Sequence, residues 1–140
     1  MFKITPVQEK TRQKELCDFF HIEYHEDYFA YIMFDIDSEE LMGLSQFEIR
    51  GNVGYINDFI PAPGTNDTEA MFILGRQTMN FIDLCGAHVC TARIGCGDER
   101  LLSAIGFKSV RDGEYFCDMQ NMFSGHCDGH TVKLFKEETT

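Results

Sequence analysis

Val53-Gly54-Tyr55-Ile56-Asn57-Asp58-Phe59-Ile60 runs into the tight loop Pro61-Ala62-Pro63-Gly64-Thr65, and that loop into a long segment, Asn66 to Cys85. The first piece reads as a strand and the last as a helix. Met71, Leu74, Thr78, Phe81, Ile82 and Cys85 recur at helical spacing as one apolar stripe. Asn66-Asp67-Thr68-Glu69 has the form of a capping box, with Asn66 as N-cap and Glu69 three residues on, and Gly86 follows as the stop. A strand that feeds a helix N-terminus is a common anion site in α/β proteins, because the first N–H groups of the helix lack partners. Here Asp67 and Glu69 already place carboxylates in that first turn. They stabilise the helix by roughly 0.3–1 kcal/mol each and set the protein's own negative charge where an external anion would sit.

Upstream, the chain builds the support for this unit. Phe2–Thr5 is expected to form a short strand, and Pro6 to open a helix over Val7–Phe20 whose second half is apolar at Leu16, Cys17, Phe19 and Phe20. Tyr28–Phe34 is apolar without alternation, as in a strand covered on both faces. Leu41–Arg50 alternates, with Phe47 and Ile49 on one face and Gln46, Glu48 and Arg50 on the other. Gly51-Asn52 then fits a type II′ hairpin turn into Val53–Ile60. Downstream, Ala87–Ile94 reads as a strand parallel to an earlier one, since a helix precedes it. Asp98 would cap a short helix, Glu99–Ile105, that ends at Gly106, before a hairpin of Lys108–Val110 and Glu114–Met119. The order is βαβββαβαββ, an α/β (α+β) chain with a mixed sheet and helices on both faces.

Length and charge limit the function. At 140 residues the chain is expected to form one domain over 1–119, with 120–140 as a C-terminal extension packed on it or trailing from it. The net charge of −11 argues against nucleic acid and favours a cationic partner such as an amine. The longest apolar run, Tyr28–Phe34, is too short to span a bilayer, so a cytoplasmic protein with no membrane association is expected. Six cysteines are read as reduced thiols, with Cys17 and Cys85 as small buried hydrophobes.

Two stretches carry a family resemblance. Leu101-Leu102-Ser103-Ala104-Ile105-Gly106-Phe107 is similar to the Leu-Tyr-x-x-Leu-Gly-Phe end of a short helix, and Phe59-Ile60-Pro61 to the strand–loop–helix, of the GNAT superfamily of acyl-CoA N-acyltransferases. The resemblance covers about Phe2 to Met119. It implies a mostly antiparallel sheet, an acetyl-CoA or other acyl-CoA cofactor, and a small-molecule or peptide amine as acceptor. By the same resemblance the coenzyme would be held by Phe59, Ile60, Gly64, Thr65, Asn66 and Ala70, with Asp58 as base and Tyr115, or Tyr55, as acid. The match is degenerate. The family's phosphate loop, Arg/Gln-x-x-Gly-x-Gly/Ala, finds Gly64, Asp67 and Glu69 at its key positions, or Thr65, Thr68 and Ala70 one residue on. Its tyrosine acid falls at Leu102 and its frequent asparagine at Gly95. Two functions stay open: an N-acyltransferase with an atypical coenzyme site, and a non-catalytic binding or protein-interaction module. A homodimer is compatible with the second.

Other clusters are weaker. His126, Cys127 and His130, with Cys117 upstream, have zinc-type donors but no paired signature, so no metal is expected. His21 and His25 would share a helical face if the first helix ran that far. Cys96, between two glycines and ahead of a helix, is the best candidate for a reactive thiol.

Overall fold

The computed structural model describes residues 1–123. Its order is β1 (Phe2–Pro6), α1 (Lys10–Phe19), β2 (Phe29–Asp35), β3 (Leu41–Arg50), β4 (Val53–Pro61), α2 (Thr68–Leu84), β5 (Val89–Arg93), α3 (Glu99–Ile105), β6 (Ser109–Arg111) and β7 (Glu114–Asp118). The elements and their sequence match the expectation. The strands form one seven-stranded sheet in the order β1-β2-β3-β4-β5-β7-β6, antiparallel except between β4 and β5. This is the GNAT-like mixed sheet. Gly51 has φ 61 and Asn52 stays out of the left-handed region, the signature of the II′ turn that joins β3 to β4.

Each helix covers one part of one face. Toward α2 and α3 the strands send Met33, Phe47, Ile56 and Phe59 against Leu74, Ile82, Leu102 and Ile105, all fully buried. Burying each such side chain contributes about 1.5–3 kcal/mol, so this layer holds most of the apolar driving force. Thr78 in the middle of α2 back-bonds to Leu74 O (2.9 Å) and meets Ser45 Oγ on β3 (2.8 Å). That pair fixes the slide of the helix along the sheet without leaving a buried hydroxyl unpaired. On the opposite face Leu16 and Cys17 of α1, with Phe20 just beyond it, pack on Ala30, Ile32 and Leu44.

Several local expectations are corrected. Pro6 does not open α1: it is the last residue of β1, opposite Tyr31, on an edge strand where a missing N–H is tolerated. α1 ends at Phe19, so His21 and His25 lie in the following loop, not on one helical face. The N-cap of α2 is Asp67, whose carboxylate accepts from the Ala70 N–H at 3.0 Å, and Asn66 stands one residue outside. Cys85 is exposed because it is the C-cap of α2, beyond the stripe that packs on the sheet. Beyond β7, Met122 and Phe123 pack on the core, while His126, Cys127 and His130 lie outside the described residues.

Candidate functional site

The parallel pair at the centre of the sheet is short. β4 is registered with β5 only from Val53 to Ile56, against Val89 to Ala92, yet it continues along β3 as far as Pro61. On the β3 side the register shifts between Gln46 and Phe47, leaving Asn57 as the extra residue of a bulge. Beyond it the β4–β5 ladder ends, and we call the side of β4 left there without a strand partner the cleft.

That wall is already engaged. The Phe59 N–H donates to Cys96 O at 2.9 Å, from the loop between β5 and α3. By strand alternation the next amide facing the cleft belongs to Pro61, which has no N–H to give. Gly97 sits so close that a Cβ there would lie 2.2 Å from Phe59 O. Only glycine permits that approach. The segment Gly95-Cys96-Gly97 therefore occupies the cleft with the protein's own backbone. Cys96 is buried in this contact, and burial, with Asp58 adding and Arg93 opposing, pushes its thiol up to about 12. The expected reactive thiol is thus an inert one: it stays protonated at neutral pH and solvent does not reach it.

The start of α2 is capped in part by the protein itself. Asp67 Oδ1 holds the Ala70 N–H, and the Thr65 N–H donates to Ala62 O at 2.9 Å. Ala70 is fully buried, whereas Gly64 and Asn66 are exposed on the loop. Ile60 pairs with Leu44 and turns its side chain to the α1 layer. Of the two β4 residues assigned to a coenzyme by resemblance, Phe59 turns its amide to the loop after β5.

Asp58 is the centre of a buried polar chain that sequence reasoning missed. Its Oδ2 accepts from Gln46 Nε2 (2.9 Å) and Asn57 Nδ2 (2.8 Å), and its Oδ1 lies 3.4 Å from Arg93 Nη2. Arg93 also donates from Nε to Asn57 O at 3.0 Å, tying β5 to the bulge. Gln46 Nε2 donates further to Glu23 O, while its Oε1 accepts from Gln13 Nε2 (3.0 Å) and the His25 N–H (3.1 Å). Gln13 and Gln46 are completely buried, so the chain runs from α1 across one face of the sheet to β5 with each amide paired. Cys17 borders it, and burial, then the charges of Asp58 and Asp18, push its thiol up to about 11.

Tyr115 is on the other side. It pairs with Ala92, whose side chain belongs to the α2 core, and burial with the charges of Glu99 and Cys96 raises its pKa. Asp58 and Tyr115 are thus held on opposite faces of the sheet. Leu102 is wholly buried in the core. On the Asp58 face, Tyr55 and Glu48 are cross-strand partners, and Arg50 pairs with Glu48 (3.3 Å) and lies over the Tyr55 ring. Tyr28 reaches the same patch: burial, then its hydrogen bond to Glu48, pushes its hydroxyl up to about 12. Among the described residues no group of three or more His, Cys, Asp or Glu is placed to hold a metal ion, and no helix is long and apolar enough to cross a membrane.

No family model matches the chain, and no curated protein matches its sequence. Among solved structures it is similar to YhhK from E. coli, a candidate N-acetyl transferase whose solution NMR structure has coenzyme A bound. The TM-score is 0.53 at 11% identity, over 84% of this chain and 98% of that one. At that identity the likeness is one of fold, and it shows that this chain has the GNAT-like architecture that the resemblance implied.

Proposed function

We propose that this chain is a GNAT-fold binding module that neither binds nor turns over acyl-CoA. The observation that carries the reading is the Phe59 N–H bonded to Cys96 O, with Gly97 packed on Phe59 O. A pantetheine arm in this cleft needs backbone donors and acceptors on β4, and those groups are taken. The Asp67 cap supports the same reading, since an anion at the start of α2 would meet a carboxylate.

A second reading, an N-acyltransferase that acts on an amine with acetyl-CoA or another acyl-CoA, is favoured by the fold likeness to a coenzyme-bound protein. It requires the Gly95–Gly97 segment to leave Phe59. Asp58 would take the amine proton, and Tyr115 would return one to the leaving thiolate across the opened cleft.

The test is thermal unfolding with and without acetyl-CoA, together with hydrogen exchange of the Phe59 amide. A ligand at 100 times its dissociation constant adds about 2.7 kcal/mol to stability. No shift with millimolar acetyl-CoA, and a Phe59 amide protected without ligand, are the expected results. A saturable shift would overturn the proposal in favour of the acyltransferase.

A further inference from the structure

A cavity of about 310 Å³ lies at the other end of the sheet, where β1 stops at Pro6 and Phe29 and Ala30 of β2 pair with a strand, β3, on one side only, the Val7 N–H reaching Ala30 O on the other. Its apolar wall is a set of rings. Phe81 of α2 stands edge-on to Phe29 (5.9 Å) and Tyr31 (5.8 Å), and Phe47 closes the group at 5.8 Å from Phe29. Phe29 is 48% exposed, so one large aromatic surface in this wall is uncovered. Val7 completes the apolar side and Lys10 stands on the same lining.

Lys10 is the one charged residue among those lining the cavity. Its ammonium donates to Gln13 Oε1 (3.1 Å) and Tyr28 O (2.5 Å), both neutral acceptors. Like most of the other described basic residues, and unlike Arg12, Arg50 and Arg93, Lys10 forms no ion pair with a carboxylate among the described residues. No carboxylate stands on the lining to answer its charge. A partner that answers both features has a ring to complete the edge-to-face set and a carboxylate for the ammonium. The volume is at the low end for ligand pockets, which suits a single ring.

We propose that the cavity between Phe29, Phe81 and Lys10 binds a small monocyclic aromatic carboxylate. The site does not depend on what fills the β4–β5 cleft: acetyl-CoA reports through Phe59 and an aryl carboxylate through Ala30, Tyr31 and Phe81, so the two ideas fail separately. The experiment is an amide chemical-shift titration of the full chain with phenylacetate. Saturable shifts at Ala30, Tyr31 and Phe81 are expected, with a dissociation constant below about 1 mM. Lys10→Gln, an exposed position, should weaken binding about tenfold, and the neutral analogue benzyl alcohol should bind the wild-type chain about tenfold more weakly than phenylacetate. No shifts at about 10 mM phenylacetate would overturn the proposal. So would equal affinity of the Lys10→Gln chain, or equal affinity for benzyl alcohol.

Discussion

The two faces of β4 are packed by different chemistry. Ile56 and Phe59 point to α2 and α3 and meet only apolar neighbours, whereas Asp58 points to α1 and is held by amides and a guanidinium. An apolar layer is held by area and shape, which many side chains satisfy approximately. A buried polar chain is held by pairing, and removing one member orphans the others. The prediction from this contrast is that the polar face, with fewer atoms, is the less tolerant.

Gln46→Leu tests this most severely. It nearly conserves volume but removes the partners of the His25 N–H and Glu23 O, and takes one donor from Asp58. Each buried group left unpaired costs about 1–3 kcal/mol, so a loss of about 4 kcal/mol is expected in denaturant unfolding. Leu74→Ala is the matched test on the apolar side, at a fully buried position, and should cost about 3 kcal/mol from lost contact and the cavity left behind. A larger loss for Leu74→Ala than for Gln46→Leu would reverse the comparison.

Gly97→Ala addresses the place where the two strands part. The added methyl would stand 2.2 Å from Phe59 O, backbone that has little room to give. The loop must then lift, at about 2 kcal/mol, as for other overpacked sites. Faster exchange of the Phe59 amide in this variant would show that the closing contact had been released. If exchange is unchanged, the loop does not seal the cleft.

The apolar face was legible in the sequence and the polar one was not, for a physical reason. The stripe of Met71, Leu74, Thr78 and Ile82 follows from helical period, and the strand order follows from turns and connections. The partner of Gln46 follows from neither. Counting back from the Gly51-Asn52 turn, Arg50 faces Val53 and Phe47 faces Ile56, and an unbroken ladder would set Gln46 against Asn57. The bulge moves Asp58 into that place, and no residue in the stretch announces it. The occupied cleft was hidden in the same way. Gly95 and Gly97 mark a loop, but only the fold brings it against Phe59. A sequence reading that takes Asp58 only as a candidate base misses both, because one inserted residue changes which face each side chain serves.

The smallest effect concerns the start of α2, where the sequence pointed to Asn66 as the cap and the structure uses Asp67. Asp67 has extended backbone angles, φ −108 and ψ 94, and its carboxylate bonds the Ala70 N–H. Asn66 has the right chemistry one residue too early. Asp67→Ala should therefore lose about 1 kcal/mol, as N-cap removals do, while Asn66→Ala should change stability by less than about 0.5 kcal/mol. The reverse ranking would restore Asn66 as the cap. Asp67→Asn separates pairing from charge: an amide oxygen still caps, so stability should hold within about 0.5 kcal/mol. If that variant also gained affinity for acetyl-CoA, the carboxylate's charge, and not the closed backbone of β4, would be what keeps an anion from the head of α2.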